Sequence, residues 1–139
     1  MFNHILVPTD LTERSLKALD VAVSMTVPDG GRITLLHVIE TIEDTGSEEF
    51  QDFYRQLEKR AKKSMEEIIG KYLEHLPVIG KEIIYGKRVK EIVRFAEEQE
   101  IDLIILSSHR VERESGLQAW GTISYKVGIL SHCPVMLVK

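Results

Sequence analysis

The sequence predicts a single doubly wound α/β domain, a parallel sheet with helices on both of its faces. Five short apolar runs alternate with four segments whose apolar residues recur at helical spacing, and such alternation calls for right-handed crossovers between parallel strands. The run 33–39 is apolar almost throughout, as a parallel strand covered on both faces should be. With 139 residues and a 43% hydrophobic fraction the chain fits one domain, 1–139, with a core of ordinary size. No internal repeat, linker or low-complexity tract divides it.

Residues 2–8 form a short run with β-branched members and read as the first strand. Asp10 and Thr12 supply helix-start chemistry, and Leu16, Leu19 and Val23 give a helix over 12–26 its buried face. Pro28-Asp29-Gly30-Gly31 turns the chain into the second strand, 33–39. A polar connection over 40–49 leads to a long helix from Phe50, where Phe53, Leu57, Ala61, Met65, Ile68 and Tyr72 mark one buried stripe. Its other face carries Glu58, Lys59, Lys62, Lys63, Glu66 and Glu67 and reads as solvated. Pro77 ends this unit. The third strand, 78–85, is interrupted by Gly80, Lys81 and Glu82, which suits a sheet edge. After Gly86, the residues Val89, Ile92, Val93 and Ala96 share one side of a third helix ending near Glu100. Residues 102–107 are the fourth strand, 121–131 the fourth helix and 134–138 the fifth strand.

Composition and motifs exclude several functions. A net charge of -4, with lysines and arginines scattered among glutamates, leaves no basic footprint for nucleic acid. No stretch approaches the ~18 consecutive apolar residues of a membrane span. Met1-Phe2-Asn3-His4 leads straight into a strand without the features of a secretory signal, so a cytoplasmic location is expected. The only cysteine, Cys133, has no lysine or arginine beside it in sequence and reads as a small residue packed beside a strand. The five histidines show no metal-ligand spacing, and Ser107, Ser108 and His109 lack the glycines of a nucleophile elbow. Trp120 reads as a packing or interface residue. Gly80 to Arg88 superficially suggests a P-loop, but five residues separate its glycines and Arg88 stands where Ser or Thr must reach magnesium.

Two segments carry chemistry. The strand 102–107, a polar loop and Gly121-Thr122 at a helix start form the arrangement that cradles phosphates, although Gly116 is the only glycine between Ser107 and Gly121. After the first strand comes Pro8-Thr9-Asp10-Leu11-Thr12-Glu13, which places a carboxylate at a strand end, where open α/β sheets bind ligands. Read locally, Asp10 caps the first helix and Glu13 completes a capping-box-like pair worth ~1 kcal/mol. On those residues alone the cap is the stronger reading.

Ile5-Leu6-Val7-Pro8-Thr9-Asp10, Leu35-Leu36-His37-Val38-Ile39, Gly86 with Ile92-Val93 and Ala96, Asp102-Leu103-Ile104-Ile105, Ser108-His109, Gly121-Thr122 and Cys133-Pro134-Val135-Met136-Leu137-Val138 follow one another in order. Together they resemble the universal stress protein family over essentially the whole chain. The resemblance implies a five-stranded parallel sheet in the order 3-2-1-4-5, an adenine nucleotide alpha hydrolase-like arrangement, with a nucleotide site where strands 1 and 4 diverge. It also implies a homodimer through the fifth strand, with Val135 and Leu137 at the contact.

By the family's pattern Pro8, Thr9, Asp10 and Val38 are the candidate adenine and ribose contacts, and Ser107, Arg110, Gly121 and Thr122 the candidate phosphate contacts. The nucleotide-binding form of the loop reads Gly, two residues, Gly, nine residues, Gly and then Ser or Thr. Here Ser107 and Arg110 replace the front glycines, and ten residues separate Arg110 from Gly121. A side chain in the family's left-handed turn would cost roughly 1 to 2 kcal/mol and fill phosphate space. Arg110 or Arg113 could instead reach phosphate through a charge-assisted contact.

The resemblance therefore implies a small cytosolic stress-response module acting as a dimer on a protein partner, with a degenerate phosphate loop and at best weak adenine-nucleotide binding. The alternative is a member in which bound ATP or AMP controls partner binding. A slow ATPase ranks third, because phosphoryl transfer needs a base, an arginine finger and magnesium carboxylates beyond Asp10. No enzymatic activity and no metal are expected, and ATP or AMP is the candidate ligand.

Overall fold

The computed structural model describes residues 1–41, 48–72, 77–108 and 123–139. Strands and helices alternate as β1 (His4–Pro8), α1 (Arg14–Met25), β2 (Arg32–Ile39), α2 (Glu48–Gly70), β3 (Val78–Tyr85), α3 (Arg88–Glu98), β4 (Leu103–Ser107), α4 (Ile123–Leu130) and β5 (Val135–Val138). All strand pairs are parallel and the sheet order is β3-β2-β1-β4-β5. The interrupted third strand lies at one edge, as its polar residues suggested, and β5 lies at the other.

Successive residues of a strand point to opposite faces, so one apolar run serves two cores. Ile5, Val7, Ile33 and Leu35 pack on one face with Leu19 of α1 and Met65 of α2. Leu6, Leu36, Val38 and Ile104 pack on the other with Ile92 of α3 and Val127 of α4. Each such side chain contributes about 1.5–3 kcal/mol when buried. A one-residue slip would exchange the two sets, so both cores fix the register together. Asp102 adds a polar lock at the opposite end from the strands' carboxyl termini. Its carboxylate accepts the backbone N–H groups of Asn3 (2.8 Å) and His4 (3.0 Å), joining the start of β4 to the start of β1.

Three expectations are corrected. Strand β1 begins at His4, and Phe2 makes an isolated bridge with Thr26 instead of joining the ladder. Helix α1 begins at Arg14, flanked by Glu13, which makes no side-chain cap bond, so Asp10 is not its cap. The stripe of α2 is buried only in its second half: Ala61, Met65 and Ile68 are buried, whereas Phe53 is 51% exposed. The 23-residue helix is about 34 Å long, against about 26 Å for the eight residues of β2, so its first turns overhang the sheet. The overhang is tied to the end of β3. Tyr54 meets the Tyr85 ring edge-on, and the Tyr85 hydroxyl donates to Glu58 Oε2 at 2.6 Å. Tyr72, past the helix end, still packs on the core and donates its hydroxyl to Asp20 at 2.6 Å.

Candidate functional site

The site begins with a parting of backbones. The β1–β4 ladder ends at Leu6↔Ile104, whereas β1 stays paired with β2 as far as Pro8↔Leu36. Beyond the strands, the Thr9 N–H donates to the Leu36 carbonyl (2.8 Å) and the Ser108 N–H to the Val138 carbonyl (2.7 Å). The first chain end thus follows β2 and the other follows β5. A crevice opens between them at the carboxyl ends of the strands, the position at which open α/β sheets bind ligands.

Side chains from every neighbouring element line this crevice. Pro8, Thr9 and Asp10 come from the end of β1, and Leu36 and Val38 from β2. Leu106 and Ser107 end β4, Arg88 and Ile92 belong to α3, and Ile123 and Ser124 open α4. Five residues selected from the sequence, Pro8, Thr9, Asp10, Val38 and Ser107, therefore meet in one cleft. The other three, Arg110, Gly121 and Thr122, lie outside the described residues.

The segment after β1 is held by its own polar groups. Thr9 and Ser15 are buried and their hydroxyls are hydrogen-bonded to each other. Thr9 Oγ1 also accepts the Leu11 N–H at 2.9 Å, and its carbonyl accepts the His37 Nδ1–H at 2.9 Å. Leu11 is left-handed, with φ 68°, a conformation that costs about 1–2 kcal/mol outside glycine. These bonds hold it there and aim the next turn. Asp10 Oδ1 then accepts both the Thr12 N–H (2.9 Å) and the Thr12 hydroxyl (2.5 Å), an Asx turn in place of the expected helix cap.

The electrostatics follow from these contacts. Partial burial pushes the Asp10 carboxyl up, but the hydroxyl and amide of Thr12 outweigh it, and the group stays below its usual range. Asp10 is thus an anion at neutral pH, suited to accept hydroxyl or amine hydrogens. Cys133, outside the cleft, behaves as its sequence context suggested. It packs on the second core, and burial, then the Asp102 charge, raises its thiol. Among the described residues no three His, Cys, Asp or Glu side chains gather as a metal site requires.

Sequence reasoning missed Arg88 and Ser124. Ser124 carried a signal, since it follows Gly121-Thr122 into a helix start. Arg88 was weighed only as a misfit to a P-loop, although the positive φ of Gly86 (145°) turns the chain from β3 so that α3 begins beside the cleft.

Comparison with known proteins agrees with this geometry. The model of the universal stress protein family matches residues 1–139. Universal stress protein YxiE of Bacillus subtilis is 34% identical, over the full length of both chains. The solved structure of protein MJ0577, which the curated relatives place in Methanocaldococcus jannaschii, superposes with a TM-score of 0.83 at 30% identity, covering 100% of this chain and 96% of that one. A universal stress protein of Archaeoglobus fulgidus, solved in complex with dAMP, shares the fold at a TM-score of 0.71 and 16% identity, covering 99% of this chain and 98% of that one. No helix among the described residues is long and apolar enough to cross a membrane.

Proposed function

Because the chain belongs to the universal stress protein family, we propose that it is a cytoplasmic regulatory module of the stress response, whose strand-end cleft holds a nucleotide weakly and whose effect is carried by protein contacts. The observation that carries this reading is the convergence of Pro8, Thr9, Asp10, Val38 and Ser107 on one cleft. Its apolar part, with Leu36, Val38, Ile92 and Leu106, suits a flat base, and its polar part suits a ribose and a phosphate. The dAMP complex of the Archaeoglobus fulgidus relative supports the same ligand class. Ser107 and Arg110 in place of loop glycines favour weak phosphate binding, with AMP or ATP as the first ligands to try.

Binding rather than turnover is the reading that suits Asp10. A carboxyl held below its usual range is a poor general base. Dimerisation suits the β5 edge, where Leu137 is 40% exposed beside α4, whose Ile129 and Leu130 are each 61% exposed. Calorimetric titration with AMP and ATP tests the nucleotide reading. Saturable heat that Asp10→Ala weakens is expected, and its absence for every purine nucleotide tried at high protein concentration would refute the reading.

A further inference from the structure

We propose that Arg88 makes this cleft prefer a 6-oxopurine nucleotide, with guanine or hypoxanthine as base, over an adenine nucleotide. The inference rests on the nucleotide reading above and deepens it by naming the base.

Arg88 can be located within the cleft. Together with Val38 it lines both the cleft and an adjoining groove that runs past Ile39 and Glu40 toward Arg60 and Ala61 of α2. Arg88 and Val38 are therefore the shared wall between the two, and Arg88 stands at the Val38 end. Leu36, Ile92 and Leu106 of the lining are apolar, and among the described lining residues only Arg88 and Asp10 carry a charge with which to meet the edge of a base. Asp10, the other charged residue of the lining, has its Oδ1 engaged by Thr12.

The chemistry of arginine then decides the base. A guanidinium has five N–H donors and no acceptor. Arg88 is half-buried, and among the described residues its side chain is in none of the ion pairs or hydrogen bonds. The nearby Glu40 carboxylate accepts the backbone N–H of Arg88 instead, at 3.3 Å. A partly desolvated cation with unused donors favours a ligand that brings acceptors. A 6-oxopurine offers O6 and N7 side by side, a bidentate match for arginine, whereas adenine places an N–H₂ donor at position 6. Glutamine, with one donor and one acceptor, matches adenine at the same edge.

Calorimetric titration of the whole chain with GMP, IMP and AMP tests the proposal, using wild type, Arg88→Ala and Arg88→Gln. Wild type should bind GMP and IMP about tenfold more tightly than AMP, in line with one bidentate base contact. Arg88→Ala should equalise the three, and Arg88→Gln should turn the preference toward AMP, a gain that misfolding cannot produce. Equal or tighter binding of AMP by wild type, or a preference unmoved by both variants, overturns the base assignment and leaves the nucleotide reading standing. No heat with any of the three overturns both.

Discussion

Replacing Gly86 by alanine probes the turn that aims α3 at the cleft. Gly86 has φ 145°, and its N–H donates to the Ile39 carbonyl at 3.1 Å, so the chain bends while still tied to β2. An added Cβ would lie 2.7 Å from Glu91 Cγ and 2.8 Å from Glu91 Oε1. Glu91 cannot easily move aside, because it is only 6% exposed and its carboxylate is paired with Arg94. Backbone strain should cost about 1–3 kcal/mol and the forced contact about 1–3 kcal/mol, a destabilisation of about 2–6 kcal/mol together. Urea unfolding measures it. With a slope of about 1–3 kcal/mol/M for a small domain, the midpoint should fall by at least about 0.7 M at an unchanged slope.

The two causes separate in a double-mutant cycle. Glu91→Ala removes the clash and leaves Arg94, already half-exposed, to solvent. In that background Gly86→Ala should retain the backbone cost and shed at least about 1 kcal/mol of the total. A Gly86→Ala chain within about 0.5 kcal/mol of wild type would refute the strain argument. An equal cost in both backgrounds would refute the contact.

His4 is 8% exposed and its Nε2 meets Thr34 Oγ1 at 2.8 Å. Burial, then the Arg32 charge, lowers its pKa below the ordinary 6.5, opposed by the Asp102 charge and by the Gln99 backbone. The unfolded chain therefore takes up the proton first, and His4 contributes a stability that is complete above about pH 6.5 and is lost as the pH falls toward its folded value. Denaturant unfolding across that range should show the decline in wild type and a smaller one in His4→Gln; equal slopes would contradict the assignment. Asp102→Ala, which removes the acceptor of the Asn3 and His4 N–H groups, should cost about 2 kcal/mol in the same assay. The proposed β5 dimer predicts that wild type sediments as a dimer and Leu137→Lys as a monomer with an unchanged circular dichroism spectrum; a monomeric wild type would refute the dimer, and a dimer that persists in the variant would refute the β5 contact.

The fold was legible because the signals that specify it are periodic and summed over many residues. Ile33 to Ile39 must be covered on both faces, whatever lies around it, and the structure covers it. The α2 stripe failed at Phe53 because periodicity reports which side of a helix is apolar and says nothing about how far the sheet beneath it extends. Asp10 shows the same limit at the scale of one turn. Spacing to Glu13 favoured a cap, but Leu11 in a left-handed conformation redirects the chain before the helix starts, and the bonds that hold Leu11 come from Thr9, itself pinned by Ser15 and His37. Arg88 was hidden for a further reason. Its neighbours in the cleft, Val38, Leu106 and Ser124, are remote in sequence, so no local pattern could have announced it.

The altered loop and Arg88 concern different parts of a nucleotide, and their effects can be measured apart. Ser107 lines the cleft at the end of β4, where in sequence it and Arg110 replace loop glycines, and Arg88 of α3, proposed to meet the base, lines it beside Val38. If the two act independently, the change in binding free energy from AMP to GMP should equal that from ATP to GTP to within about 0.5 kcal/mol, because additivity holds for contacts without shared partners. Arg88→Gln should then reverse the base preference equally for monophosphates and triphosphates, and leave the penalty or gain for the added phosphates unchanged. A base preference present with monophosphates and absent with triphosphates would mean that the phosphate chain draws Arg88 away from the base. The same guanidinium would then compensate for the altered loop.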